Sequence, residues 1–135
     1  MRFLFPSCIA LACLTQAPAI AAEPYEGAWV KSAKECSSKN DGATSLTVID
    51  LKVNIEGKPR PMVEQYENHC FVDNKVTTGG DTTLTATCYE FWDDFNKKVN
   101  GRKATIKLSL LSKDALKIDG KSYRRCPEKG AKKKV

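Results

Sequence analysis

The chain contains one histidine, His69, which directly precedes Cys70, and a thiol beside an imidazole is a common nucleophile–base combination. Both residues fall within a stretch, residues 62–72, that we assign to a β-strand. Adjacent residues of a strand point to opposite faces of the sheet, which separates the imidazole from the thiol. We therefore expect no catalytic pair at this position.

Other signatures of catalysis are also missing from the sequence. Asp93 and Asp94 are adjacent carboxylates, whereas acid–base catalysis needs two carboxyl groups held in unlike environments. The run from Asp94 to Asn100 lacks the glycine and the glutamate of a calcium loop. The sequence has no G-x-S-x-G, H-E-x-x-H or glycine-rich phosphate motif. We predict a protein that is not an enzyme and that uses no cofactor or metal.

The amino terminus has the features of a secretory signal. Arg2 supplies a positive charge, a short apolar segment follows, and small residues permit cleavage after Ala21 or Ala22. The apolar segment is too short to span a bilayer, and no later segment is long enough. Lipidation at Cys13 remains an alternative. We predict a signal peptide at residues 1–22, one domain at 23–127 and a disordered, lysine-rich tail at 128–135.

The cysteine count agrees with export to the periplasm or the medium. Six cysteines are present, and two of them leave with the signal. Four remain: Cys36, Cys70, Cys88 and Cys126. Zinc sites usually contain closely spaced cysteine pairs, but these four are far apart in sequence. An even number of widely spaced cysteines in an exported chain predicts two disulfides.

Alternating polarity and regular turn signals predict an all-β fold. The chain is 41% hydrophobic and 28% charged, which is typical of a folded domain. The expected strands lie at residues 28–32, 46–55, 62–72, 84–91, 103–111 and 115–125. Short strands at such spacing favour a small antiparallel barrel or sandwich of about six to eight strands. A last hairpin would place Leu110 opposite Leu116.

Strand register predicts which cysteines pair. A hairpin centred on Gly79 places Cys70 opposite Cys88, within reach of a disulfide. A two-residue turn at residues 79–80 would shift the register by one and put these cysteines on opposite faces. We therefore expect that the Cys70–Cys88 disulfide and a two-residue turn at residues 79–80 cannot occur together. The remaining pair, Cys36 and Cys126, would join the first strand region to the last.

The triplet Gly27-Ala28-Trp29 resembles the G-x-W signature of lipocalins and other calycins. The resemblance implies a barrel in which the tryptophan closes one end and packs beneath an arginine of the last strand, here Arg124 or Arg125. Residues 27–32, followed by Cys36, are also similar to the small periplasmic inhibitors of bacterial alkaline metalloproteases. Those proteins are eight-stranded barrels that insert an amino-terminal tail into the protease cleft. This chain departs from them in having four mature cysteines and a short segment before the first strand.

An aromatic segment at residues 89–95 is a candidate contact for a partner. A strand with one buried face buries only alternate residues, so Phe91 and Trp92 are not both expected in the core. Either one of them is exposed or the strand runs out into a loop at the barrel rim, and exposed aromatic rings flanked by acids suit a protein interface.

Charge is distributed unevenly along the chain. Residues 23–95 carry seven basic and thirteen acidic groups, whereas residues 96–135 carry fourteen basic and three acidic groups. We expect an outward patch on the last strands, comprising Lys103, Lys107, Lys117, Lys121, Arg124 and Arg125. Such a surface attracts anions.

These patterns predict an exported, non-catalytic binding protein. Its partner would be an anionic ligand, an anionic envelope component or an acidic protein. Nucleic acid is excluded as a partner because an exported protein seldom meets it. The alternative is an inhibitor of a secreted or periplasmic hydrolase.

Overall fold

The structure is a computed structural model that describes residues 22–37 and 45–128. The predicted signal peptide, the possible lipidation at Cys13 and the lysine-rich tail thus lie almost wholly outside the described residues. The strands are β1 (Gly27–Val30), β2 (Thr47–Asp50), β3 (Asn54–Ile55), β4 (Lys58–Pro59), β5 (Met62–Gln65), β6 (Asn68–Thr78), β7 (Asp81–Tyr89), β8 (Arg102–Ser112), β9 (Ala115–Ile118) and β10 (Lys121–Arg125). A short 3₁₀ helix occupies Ala33–Cys36, and an α-helix, α1, occupies Trp92–Lys97.

Eight of the strands close into an antiparallel barrel in the order β1-β10-β9-β8-β7-β6-β5-β2. Strands β3 and β4 form a separate hairpin. The predicted fold class is therefore confirmed. The predicted last hairpin is also confirmed, because Leu110 pairs with Leu116.

Three predicted strands are each interrupted, which the sequence interpretation missed. Residues 46–55 leave the barrel after Asp50, whose carboxylate accepts a hydrogen bond from the backbone N–H of Lys52 at 2.9 Å, an Asx turn. Residues 62–72 turn at Tyr66 and Glu67, and residues 115–125 turn at positions 119–120. The last of these turns has an Asp-Gly pair with positive φ at both residues, a strong hairpin signal.

Side chains fill the interior of the barrel. Leu84, Leu108 and Leu116 are almost fully buried and belong to one cluster that includes residues from seven of the eight barrel strands. Trp29 and the disulfide between Cys70 and Cys88 lie in the same cluster. An eight-stranded barrel has an interior just wide enough for such filling. The middle of the barrel is thus a packed core.

Both predicted disulfides are confirmed. The expectation that a two-residue turn at residues 79–80 would prevent the Cys70–Cys88 disulfide was wrong. Cys70 pairs with Cys88, as expected. The hairpin nevertheless turns over two residues, because Thr78 pairs with Asp81. A β-bulge at Asp73 adds one residue to β6 and absorbs the one-residue shift. The pairing and the two-residue turn therefore coexist.

The second disulfide closes the barrel between its first and last strands. Cys36, at the end of the 3₁₀ helix, is bonded to Cys126, just after β10, with 5.5 Å between their α-carbons. The backbone N–H of Cys126 also donates to the carbonyl of Ala28 at 2.7 Å. The cross-link therefore extends the pairing of β1 with β10.

Trp29 and Arg125 form the contact that the calycin resemblance implies. The Arg125 guanidinium lies 4.2 Å from the centre of the Trp29 ring and donates to the carbonyls of Pro24, Glu26 and Lys113. A β-carbon on residue 27, where φ is +128°, would lie 2.7 Å from Nη1 of Arg125. Glycine is required there because the guanidinium occupies that space. The barrel is thus compatible with a calycin-like fold.

Tyr25 packs into the core just before β1. Its side chain is buried, and its hydroxyl has no hydrogen-bond partner among the described residues. Burial raises the pKa of the Tyr25 phenol, and the nearby ammonium of Lys75 offsets part of that effect. The folded state therefore disfavours the tyrosinate.

We expect Tyr25→Phe to reduce the loss of stability at alkaline pH. A phenol whose pKa is raised on folding destabilises the native state as the pH rises past its unfolded pKa of about 10. The variant should be close in stability to the parent near neutral pH, since the buried hydroxyl that it loses is next to the Lys75 ammonium and makes at most a weak contact with it. Urea unfolding on both sides of pH 10 measures the effect, and equal alkaline losses in the two proteins would contradict it.

Candidate binding surfaces

A row of cations lies on the outer side of the last barrel strands. Lys107 and Lys117 are exposed on the adjacent strands β8 and β9 and alternate with the buried Leu108, Leu116 and Ile118. Lys117 is the cross-strand partner of Ser122 on the adjacent strand β10. Arg124 lies two residues after Ser122 and therefore on the same outer face. We call Lys107, Lys117 and Arg124 the cationic face. Their side chains form no ion pair within residues 22–37 and 45–128.

Two predicted lysines differ from this arrangement. Lys103 is exposed, but its ammonium binds the carboxylate of Asp73 at 2.9 Å and the hydroxyl of Thr87 at 2.8 Å. Hydrogen bonding from Lys103 lowers the pKa of Asp73, so the carboxylate stays ionised. Lys121 pairs with Ile118 and so emerges on the core-facing side, contrary to the prediction. It is exposed because it lies next to the turn at the barrel rim.

Arg125 was wrongly assigned to the outer patch. Its guanidinium is held between the Trp29 ring and three backbone carbonyls, and the side chain is only partly exposed. Arg124 is exposed, and both arginines line two shallow surface grooves. One of these grooves also includes Lys31, whose ammonium lies 5.8 Å from the centre of the Tyr123 ring. Of the two arginines, Arg124 is the one whose guanidinium forms no ion pair or side-chain hydrogen bond among the described residues.

Both aromatic candidates are substantially exposed. The relative exposure is 61% for Phe91 and 45% for Trp92. Strand β7 ends before them, and helix α1 begins at Trp92, an element that the sequence interpretation missed. The Trp92 ring stacks on His69 with 3.9 Å between ring centres and meets Phe95 edge-on at 5.3 Å. Phe91 therefore presents its ring to solvent, whereas one face of Trp92 is already occupied.

His69 and Cys70 are separated as the strand assignment predicts. Cys70 faces the barrel interior in its disulfide, and the buried His69 packs outside the barrel wall against Trp92. Nδ1 of His69 has no hydrogen-bond partner among the residues that the structure describes. The imidazole is thus part of a packing contact between β6 and helix α1.

The sequence interpretation missed a small cavity outside the barrel wall, beside helix α1. Its volume is about 140 Å³. The lining residues are Arg60, Phe71, Asp73, Thr87, Tyr89, Phe95 and Lys98. They come from β6, β7, helix α1 and the segments beside them, so no local pattern in the sequence brings them together.

No family model, curated protein or solved structure matches the chain. Within the described ranges, no helix is long and apolar enough to cross a membrane. The same ranges contain no group of three or more His, Cys, Asp or Glu residues placed to hold a metal ion. The resemblance to calycins is therefore limited to the barrel fold and does not place the chain in a family.

Proposed function

We propose that this protein is an exported, non-catalytic binding barrel whose cationic face attaches to an anionic envelope surface. The observation that carries the proposal is the position of Lys107, Lys117 and Arg124 on neighbouring strands without acidic partners among the described residues. Positive charge without ion-pair partners on neighbouring strands attracts anions to this part of the surface.

The filled barrel supports binding on the outside of the molecule. A lipocalin-type carrier needs an apolar chamber, whereas the core of this barrel is occupied by leucine, isoleucine and tryptophan side chains. A ligand that binds this protein must therefore use its exterior. Asp119 lies beside Lys107, and its carboxylate accepts a hydrogen bond from the backbone N–H of Lys107 at 2.9 Å. The Asp119 carboxylate keeps its negative charge in that hydrogen bond, but it forms no ion pair with the Lys107 ammonium in the described part of the chain.

The compartment follows from the cross-links. Two disulfides indicate an oxidising environment outside the cytoplasm. The signal peptide predicted at residues 1–22 supports the periplasm or the medium as the destination. In either place an anionic surface is available as lipid headgroups or acidic envelope polymer, and we take the lipid surface as the first candidate.

Inhibition of a secreted hydrolase is a second candidate, favoured by the hairpin of β6 and β7. Beyond Val72, whose backbone N–H donates to the carbonyl of Pro61 at 2.8 Å, no described strand pairs with the second edge of β6, and residues 73–81 at the hairpin tip are all exposed. Insertion of an amino-terminal tail is not supported, because Glu23 pairs with Lys75 and Tyr25 is buried. Stoichiometric inhibition that is lost when residues 76–81 are replaced by a Gly-Ser turn would favour this function.

We expect charge reversal on the cationic face to weaken the salt-sensitive binding to anionic vesicles. Lys107→Glu combined with Lys117→Glu should weaken binding to phosphatidylglycerol vesicles by about tenfold or more, since each basic group near such a surface contributes about 1 kcal/mol. For the parent, binding should fall between about 0.1 M and 1 M salt as the screening length shrinks from roughly 10 Å to 3 Å. Vesicle co-sedimentation measures both effects.

The matched control reverses two lysines on the other side of the barrel. Lys52→Glu combined with Lys58→Glu makes the same change in net charge, and both residues are exposed near the β3–β4 hairpin. This control should keep most of the vesicle binding. Equal losses in the two double variants would show that net charge acts and not the face, and binding that does not change with salt would refute the proposal.

A further inference from the structure

The cavity beside helix α1 has a floor of aromatic rings. Phe71 and Tyr89 extend from the adjacent strands β6 and β7, and Phe95 comes from helix α1. The rings of Tyr89 and Phe95 meet edge-to-face with 5.6 Å between their centres. Gly101 packs against the other side of Tyr89, since a β-carbon there would lie 2.7 Å from the ring. The Tyr89 ring is therefore packed between Phe95 on one side and Gly101 on the other.

The rim of the cavity carries two cations that lack acidic partners. Arg60 has no side-chain hydrogen bond or ion pair among the described residues, and Lys98 contacts only the Phe71 ring, at 5.8 Å from its centre. The one acid at the rim, Asp73, is already bound by Lys103 and Thr87. The cavity thus carries uncompensated positive charge above an apolar floor.

We propose that this cavity binds a single aromatic ring that carries a carboxylate. The volume of about 140 Å³ is close to that of an engineered cavity, about 150 Å³, that holds benzene. The ring would stack on the aromatic floor, and the carboxylate would pair with the guanidinium of Arg60 and the ammonium of Lys98. An inorganic phosphate would leave the aromatic floor uncovered, and a neutral ring would leave both cations unpaired.

The cavity is separate from the cationic face, so either proposal can fail without the other. Arg60 and Lys98 border the cavity near helix α1, whereas Lys107 and Lys117 are not among its lining residues. Binding at the two places can therefore be separated by mutation. Trp92 is a built-in reporter for the cavity, because its ring lies 5.3 Å from that of Phe95.

The test is a titration of the purified, disulfide-bonded protein with phenylacetate, followed by amide NMR shifts and tryptophan fluorescence. We expect saturable shifts around Phe71, Tyr89 and Phe95, with a dissociation constant on the order of 1 mM at low salt. Benzyl alcohol, which has the ring without the charge, should bind at least about tenfold more weakly. Trp92→Phe should remove the fluorescence response while the NMR shifts persist.

Two variants test the role of the cations. Arg60→Gln and Lys98→Gln should each weaken phenylacetate binding by about tenfold, the usual effect of losing a charged hydrogen-bond partner. Neither side chain has a hydrogen-bond partner among residues 22–37 and 45–128, so melting temperatures should stay close to that of the parent. Lys107→Gln combined with Lys117→Gln is the matched control and should leave phenylacetate binding unchanged.

The same ring and carboxylate occur in a free aromatic acid and at the carboxyl terminus of a peptide ending in phenylalanine. A short peptide of that kind, compared with its amidated form, distinguishes the two sources. Tighter binding of the free-acid peptide than of phenylacetate identifies a peptide terminus, and the reverse order identifies a free acid. The proposal is overturned if phenylacetate gives no saturable shift, if benzyl alcohol binds as well, or if neither cation variant weakens binding.

Discussion

Replacing Trp29 with alanine is expected to lower the free energy of unfolding by about 3–5 kcal/mol. The side chain is fully buried, and its Nε1–H donates to the carbonyl of Tyr25 at 2.8 Å. It also forms the surface on which the Arg125 guanidinium lies. The substitution removes the largest fully buried side chain of the core and leaves the arginine over a void. Urea unfolding measures the loss.

Trp29→Phe is the matched control for this variant. It keeps an aromatic ring beneath Arg125 but loses the indole N–H, so the expected loss is smaller than that of the alanine variant. A double-mutant cycle with Arg125→Ala should show coupling between the two side chains, because they are in contact. A Trp29→Ala protein that melts within a couple of degrees of the parent would contradict the structural role assigned to the tryptophan.

Removing the disulfide between Cys36 and Cys126 is expected to cost about 4–5 kcal/mol of stability. The bridge spans 90 residues, and the chain-entropy estimate increases with the length of the closed loop. The double variant Cys36→Ser with Cys126→Ser removes the cross-link where both residues are only partly buried, so cavity effects are small. Urea unfolding of the purified variant gives the change in free energy.

The slope of the unfolding curve provides an independent check. Without the cross-link the unfolded chain expands and exposes more surface, so the dependence of stability on urea should become steeper. The two single variants serve as controls, since either one breaks the bond and should lose a similar amount. A loss below about 1 kcal/mol would show that the hydrogen bonds between β1 and β10 hold the barrel closed without the bridge.

The alternation of polar and apolar residues along a strand predicted which lysines of the cationic face point outward. Lys107 and Lys117 each have an apolar residue immediately before and after them in the sequence. Adjacent residues of a strand point to opposite faces, so each lysine faces outward when its neighbours face the core. The same reasoning kept His69 away from Cys70. It failed for Lys121, because a turn at residues 119–120 interrupts the strand and resets the alternation.

The role of each arginine was not predictable from the sequence alone. Arg124 and Arg125 are adjacent and identical in type, and the G-x-W resemblance allowed either one to meet the tryptophan. The choice follows from the pairing of Trp29 with Arg125 across β1 and β10. That register depends on the closure of the barrel, so it is a long-range property.

The sequence by itself determined the all-β class and the presence of two disulfides, because the alternation of polarity and the number and spacing of the cysteines can be read along the chain. The pairing of Cys70 with Cys88 was predicted from a hairpin centred on Gly79, whereas the structure forms it with a two-residue turn at residues 79–80 and a bulge. Tertiary structure alone decided the bulge at Asp73, since a two-residue turn and a fixed disulfide are compatible only if one extra residue leaves the ladder. It also decided the cavity beside helix α1, whose walls come from segments far apart in the chain. Such features arise from packing between distant segments, and local periodicity contains no information about that packing.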